Sequence, residues 1–101
     1  MINMQERFED EHTDRLMEAV SLLETPEECR NLFEDLCTIS EIKAMAQRLE
    51  VARLLKNHVV YSEIVRLTGA STATISRLNR CLTYGAGGYQ TVLERLDGDG
   101  Q

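Results

Sequence analysis

The sequence predicts an all-α domain, and three features carry that prediction. Apolar residues recur at three- and four-residue spacing through most of the chain, as at Ile75, Leu78 and Leu82. Alternating or β-branched runs of the kind that build strands are scarce, and proline occurs once, at Pro26. Helix-start signals precede two of the apolar stretches. At 101 residues the chain is one small domain. Such a chain buries limited apolar surface alone and often gains core by dimerising.

In order, residues 1–7 read as a frayed start. A first helix is expected over residues 8–23, with Phe8, Leu16, Ala19, Val20 and Leu23 on one face and an acidic opposite side. That apolar stripe is narrow, as in a helix that packs on a partner. Thr25-Pro26-Glu27-Glu28 then starts a second helix to about Cys37: Thr25 caps, Pro26 takes the first helical position and Glu28 can close a capping box. Cys29, Leu32, Phe33, Leu36 and Cys37 form its stripe. Thr38-Ile39-Ser40-Glu41 repeats the pattern, with Thr38 as cap, Glu41 as its partner and Ser40 as a rival cap. The third helix, to about Lys56, carries Ile42, Met45, Ala46, Leu49, Ala52 and Leu55 along one side, widened by Val51 and Leu54. So broad an apolar surface marks the central helix of the core.

Residues 61–82, YSEIVRLTGASTATISRLNRCL, read as two short helices about a tight turn. Gly69 supplies the turn by taking positive φ, and Ser71 caps the second helix. Ile64 and Leu67 share the inner face of the first helix; Ile75, Leu78 and Leu82 line that of the second. The opposite face holds Thr72, Ala73, Ser76, Arg77 and Arg80, small polar and basic residues suited to base edges and phosphates. This is the layout of a helix-turn-helix, with Val65 and Thr68 as its imperfect positions. The plain alternative is a helical hairpin in a small bundle. Three glycines within residues 85–88 mark a loop, a last helix follows over residues 89–96 with Tyr89, Val92, Leu93 and Leu96 on one face, and residues 97–101 read as a disordered polar tail. Tyr84 and Tyr89 are expected to pack on the helical core.

The net charge of −6 is unevenly spread. Residues 1–42 hold 12 acids and 3 bases, giving −9; residues 43–80 hold 7 bases and 2 acids, giving +5; residues 81–101 hold 3 acids and 1 base, giving −2. The positive block contains the suspected reading helix, and nucleic-acid attraction follows the local field as well as the total. Cys29, Cys37 and Cys81 are an odd number without close pairing, which argues against a disulfide framework. His12 and His58 lie at no metal-ligand spacing, so no metal site is expected. No stretch is apolar enough to span a membrane, and the polar start has no signal-peptide core, so the expected compartment is the cytoplasm. No catalytic arrangement of side chains is present, and the chain does not read as an enzyme.

The run Gly69-Ala70-Ser71-Thr72-Ala73-Thr74-Ile75-Ser76-Arg77, with Thr38-Ile39-Ser40-Glu41 before a helix carrying Arg48, then Leu54-Leu55 and Glu63-Ile64, resembles the Trp repressor superfamily. Its YerC/YecD-type Trp-repressor-like branch is most similar. The resemblance spans about residues 8–96 and implies a six-helix, intertwined homodimer. In it, residues 8–60 form the dimerisation core, and two reading helices lie on the order of 34 Å apart to meet successive major grooves. It implies that Thr72, Ala73 and Ser76 face base edges and that Thr74 lies near phosphates. Ser62 and Val65 stand where the repressor has basic groups on DNA. Arg48 and Arg77 match the arginines that embrace the corepressor tryptophan. Leu78 replaces a glycine and Cys81 a serine of that site. These departures imply that tryptophan is not the ligand: either another, unidentified small molecule binds, or Leu78 fills the pocket and DNA binding is constitutive.

The expected function is therefore a homodimeric, sequence-specific regulator, a repressor by resemblance, on double-stranded DNA with a palindromic operator. Thr72, Ala73 and Ser76 would meet bases, Thr74, Arg77 and Arg80 phosphates, and Lys56 and Arg66 the flanking backbone. The alternative is a dimeric helical protein-interaction module that does not bind DNA.

Overall fold

The computed structural model describes residues 10–99. The expected frayed start, Phe8 and the last two residues of the expected tail lie outside them. The described residues form six helices and no strand: α1 (Glu11–Ser21), α2 (Pro26–Leu36), α3 (Ile39–Lys56), α4 (Tyr61–Thr68), α5 (Thr72–Tyr84) and α6 (Gly88–Asp99). The chain divides into two units, Met1–Ile39 and Ser40–Gln101.

In the first unit both helices are started by side chains. Asp10 caps α1: its carboxylate accepts the Thr13 N–H at 2.7 Å and the Thr13 hydroxyl at 3.0 Å. The backbone bond from Thr13, then that from its hydroxyl, hold the Asp10 carboxyl below its ordinary value. With Asp10 as its cap the helix runs from Glu11 to Ser21. Thr25 caps α2 as expected, accepting the Glu28 N–H at 3.1 Å, with Pro26 in the first turn. Glu28 folds back to the Glu24 N–H at 2.9 Å, one residue before the cap. Neither helix contains a fully buried residue. Leu16, Met17, Leu22 and Leu36 are exposed, while Cys29, Leu32 and Phe33 are half-buried.

The second unit holds the core. Val51 and Leu54 of α3, Ile64 of α4, Ala70 of the turn, and Ile75 and Leu78 of α5 form one buried cluster, with Leu55, Val59, Tyr61 and Tyr89 packed against it. Ala52 and Leu93 are buried as well. Each large aliphatic side chain fully buried here contributes about 1.5–3 kcal/mol. The stripe expected to dominate α3 is only partly inward: Ala52 is buried and Leu55 packs on the cluster, but Ile42, Met45 and Leu49 are half-buried and Ala46 is exposed. Apolar residues surround so much of α3 that the packing of α4 and α5, not the helix's own pattern, selects Val51 and Leu54. Leu67 is likewise exposed and not inward, because Ile64 alone of that pair faces the cluster.

α3 begins at Ile39, so Thr38 precedes its first turn and Ser40 lies inside it. It ends in a Schellman motif: the Val59 N–H donates to the Leu54 carbonyl and the His58 N–H to the Leu55 carbonyl, both at 3.0 Å. The left-handed position falls on His58, with φ 62°. At the other end of the unit, α6 starts at Gly88 and runs through Asp99, past the Leu96 limit expected from composition. No proline stands in residues 97–99, so nothing there breaks the helical ladder. On α6 Leu93 is buried and Tyr89 half-buried, whereas Val92 and Leu96 are exposed.

Candidate nucleic-acid interface

α4 and α5 join at a turn built from three residues. Gly69 adopts φ 76°, a left-handed conformation that a residue with a side chain takes only at a cost, and its N–H donates to the Val65 carbonyl at 2.9 Å. The Thr68 hydroxyl donates to the Ile64 carbonyl at 2.7 Å and accepts the Ala70 N–H at 3.1 Å. The polarity that makes Thr68 an imperfect motif residue is therefore used to pin the turn. Ser71 then caps α5: its hydroxyl accepts the Thr74 N–H at 3.1 Å and bonds the Thr74 hydroxyl at 3.1 Å.

With Ile75 and Leu78 buried below, the helical period leaves Thr72, Ala73, Ser76, Arg77 and Arg80 exposed on the outer side of α5. Thr74 is half-buried, its hydroxyl engaged by the cap. Ala73, Ser76, Arg77, Arg80, Cys81, Tyr84 and Gly85 border an open groove along the helix. Tyr84 is thus exposed and does not pack on the core as expected: it is the last residue of α5, two turns after Arg77 and on the same outer side. A side chain at position 85 would collide with the Cys81 carbonyl, so glycine is required for this exit.

The cations of the interface are not equally available. Among the described residues, no carboxylate forms an ion pair with Arg77, Arg80, Lys56 or Arg48. Arg66 is paired with Glu63, its Nε donating at 3.0 Å and a terminal nitrogen bonding the other oxygen. This bond holds the Glu63 carboxyl below its ordinary value and raises Arg66. Arg53 is paired with Glu50 in the same way, at 2.8 and 2.7 Å. The first turn of α5 contains no acid, so its positive helix end is uncompensated.

The residues matched to the repressor's ligand site differ in their surroundings. Leu78 belongs to the buried cluster, Arg48 is half-buried on α3, and Arg77 and Cys81 border the α5 groove. Cys81 also lines a second, more apolar cleft with Leu49, residues 85–88, Tyr89 and Val92. Leu49, Tyr84 and Val92 carry no local chemical signal, which is why sequence reading did not single them out for a site. Among the described residues no group of acidic, cysteine or histidine side chains could hold a metal ion, Cys29, Cys37 and Cys81 are free, and no helix is long and apolar enough to cross a membrane.

The family model of the Trp repressor protein matches residues 11–97. The chain belongs to the Trp repressor family. It is 47% identical over 91 residues to the uncharacterized protein YerC of Bacillus subtilis (strain 168), covering 90% of this chain and 88% of that protein. Among solved structures, it is similar to a TrpR-like protein from Eubacterium eligens ATCC 27750, with TM-score 0.86, 46% identity, and coverage of 90% of this chain and 94% of that one. It is also similar to a candidate Trp repressor from Staphylococcus aureus, with TM-score 0.88, 41% identity and coverage of 95% and 96%. The expected family and the six-helix, all-α Trp-repressor-like fold are borne out. Trp repressor-like proteins are DNA-binding regulators and not enzymes, and some are controlled by a small corepressor.

Proposed function

We propose that this chain is a homodimeric transcriptional regulator, a repressor, that binds a palindromic operator by laying α5 in the major groove. The observation that carries the reading is the outer face of α5. Thr72, Ala73 and Ser76 are small enough to approach base edges, and Arg77 and Arg80 beside them have no carboxylate partner among the described residues. Phosphates would take Thr74, Arg77 and Arg80, and a phosphate at the uncompensated start of α5 would also meet its backbone N–H groups. Lys56, which forms no ion pair among the described residues, can reach flanking backbone, whereas Arg66 must first leave Glu63. With no Asn or Gln on the reading face before Asn79, specificity would rest on few direct hydrogen bonds, with water and DNA shape supplying more.

Self-association is supported by the first unit. Helices with an apolar stripe and no buried residue, exposing Leu16, Met17, Leu22 and Leu36, need a cover. A second copy also supplies the two-fold axis that a palindrome requires. On the ligand side, Cys81 lacks the hydroxyl that would hold an amino group, and the volume at Leu78 is core. We therefore read the protein as unresponsive to tryptophan, acting constitutively or with another small molecule.

The acidic, apolar-striped α1 and α2 equally suit a dimeric protein-interaction module without DNA binding. Retention of genomic fragments on purified protein at low salt separates the two. The regulator reading expects retention, with log affinity falling by about 0.9 per neutralised phosphate against log salt. No retention would leave the interaction module.

A further inference from the structure

Gln47 is half-buried on α3, and its side-chain amide Nε2 donates to the Thr68 carbonyl at 3.1 Å, across 21 residues of chain. Thr68 ends α4, and the last four carbonyls of a helix have no partner inside it. In α4 the Val65 carbonyl takes the Gly69 N–H, while the Thr68 carbonyl takes its hydrogen bond from α3. Because the Thr68 hydroxyl also bonds Ile64 and Ala70, this residue is tied to α4, to the turn and to α3 at once. Ala70 is 3% exposed within the core cluster, and Ser71 caps α5 directly after it. The Thr68 peptide is thus held by α3 immediately before the reading helix begins.

We propose that Gln47 is a positioning residue for DNA recognition. Its bond to the Thr68 carbonyl sets the pitch of α5 relative to α3, and so the depth at which Thr72, Ala73 and Ser76 meet base edges. This rests on the DNA-binding reading above. Base-edge hydrogen bonds carry sequence information and demand tight geometry, whereas long arginine side chains follow a shifted phosphate. Loss of the Gln47 bond therefore lowers discrimination between sequences. It leaves the salt dependence as it was, since no phosphate contact is removed.

The test uses Gln47→Met and Gln47→Glu in the full chain. Methionine keeps the length and removes the donor; ionised glutamate only accepts, and protonated glutamate donates again. Two measurements are made: amide hydrogen exchange without DNA, and fluorescence anisotropy on a selected duplex and on its scrambled counterpart. In Gln47→Met, exchange at Gly69 and Ala70 is expected to accelerate by about twofold to tenfold, the range that one net hydrogen bond represents. Exchange at Val51 and Leu54 should be unchanged, the ratio of specific to scrambled affinity should fall by a similar factor, and the salt slope should stay. Gln47→Glu should behave like Gln47→Met at neutral pH and regain protection at the turn, relative to Gln47→Met, as the carboxyl is protonated. Unchanged exchange at the turn, or an equal rise along the whole chain, overturns the positioning role. Normal discrimination by Gln47→Met, with a wild type that discriminates, overturns it too. A wild type that binds neither duplex overturns the DNA reading itself, and the recognition role with it.

Discussion

Replacing Arg80 by alanine removes a cation that forms no ion pair among the described residues. Arg80 is exposed on the outer side of α5, and none of the ion pairs among the described residues includes it. Its charge is therefore available in full to a phosphate. The proposed two-fold dimer would present the residue twice, so Arg80→Ala should lower the magnitude of the salt slope by about 1.8, at about 0.9 per phosphate. Between about 50 and 200 mM salt the affinity advantage of the wild type should then shrink by roughly tenfold. Fluorescence anisotropy on one selected duplex and one scrambled duplex, over that salt range, reads both quantities. Arg80→Lys should keep most of the slope, because it keeps the charge. An unchanged slope in Arg80→Ala, or a loss confined to the selected duplex, would refute phosphate contact.

Three further outcomes are expected. Glu63→Gln releases Arg66 from its exposed ion pair; DNA affinity at low salt should rise and the slope steepen, by at most about 1.8 per dimer, and an unchanged slope would show that Arg66 lies away from the backbone. His58→Gly relieves a left-handed backbone at φ 62°, which costs an ordinary residue about 1–2 kcal/mol, against a glycine entropy cost of about 0.5–1 kcal/mol. Tm at fixed protein concentration should rise by roughly 2–6 °C in circular dichroism, and a fall would mean that the His58 side chain contributes more than its backbone strain costs. L-Tryptophan at millimolar concentration should leave Tm unchanged, although a ligand at 100 times its Kd adds about 2.7 kcal/mol; a clear rise would overturn the reading of Leu78 and Cys81.

The parts of the fold legible in the sequence are those fixed by neighbours in the chain. Gly69 at positive φ, Ser71 on the Thr74 N–H and Thr25 before Pro26 each depend on three or four consecutive residues, and the structure places all three as expected. Gly69 and Ser71 mark the two helices of the candidate interface, and helical spacing then separates Ile75 and Leu78 from the outer face. Less legible was anything decided by contact between elements. Val51 and Leu54, rather than Ile42 and Ala46, enter the core because α4 and α5 pack there. Leu67 and Tyr84 are exposed for the same reason, since apolar character does not say which neighbour will arrive. The Schellman bond at Val59 needs a left-handed residue, and histidine, though more tolerant of that conformation than most, marks it less firmly than glycine would. Gln47 is the extreme case: its partner lies 21 residues away, and a glutamine on a helix ordinarily reads as surface.

Selection of bound sites from random double-stranded DNA, using purified full-length protein at low salt, tests the central claim most directly. Enrichment of a two-fold symmetric sequence is predicted, with half-sites spaced about one helical turn apart, to suit two copies of α5. Recovery of no enriched sequence, with no retention of DNA at low salt, would contradict it.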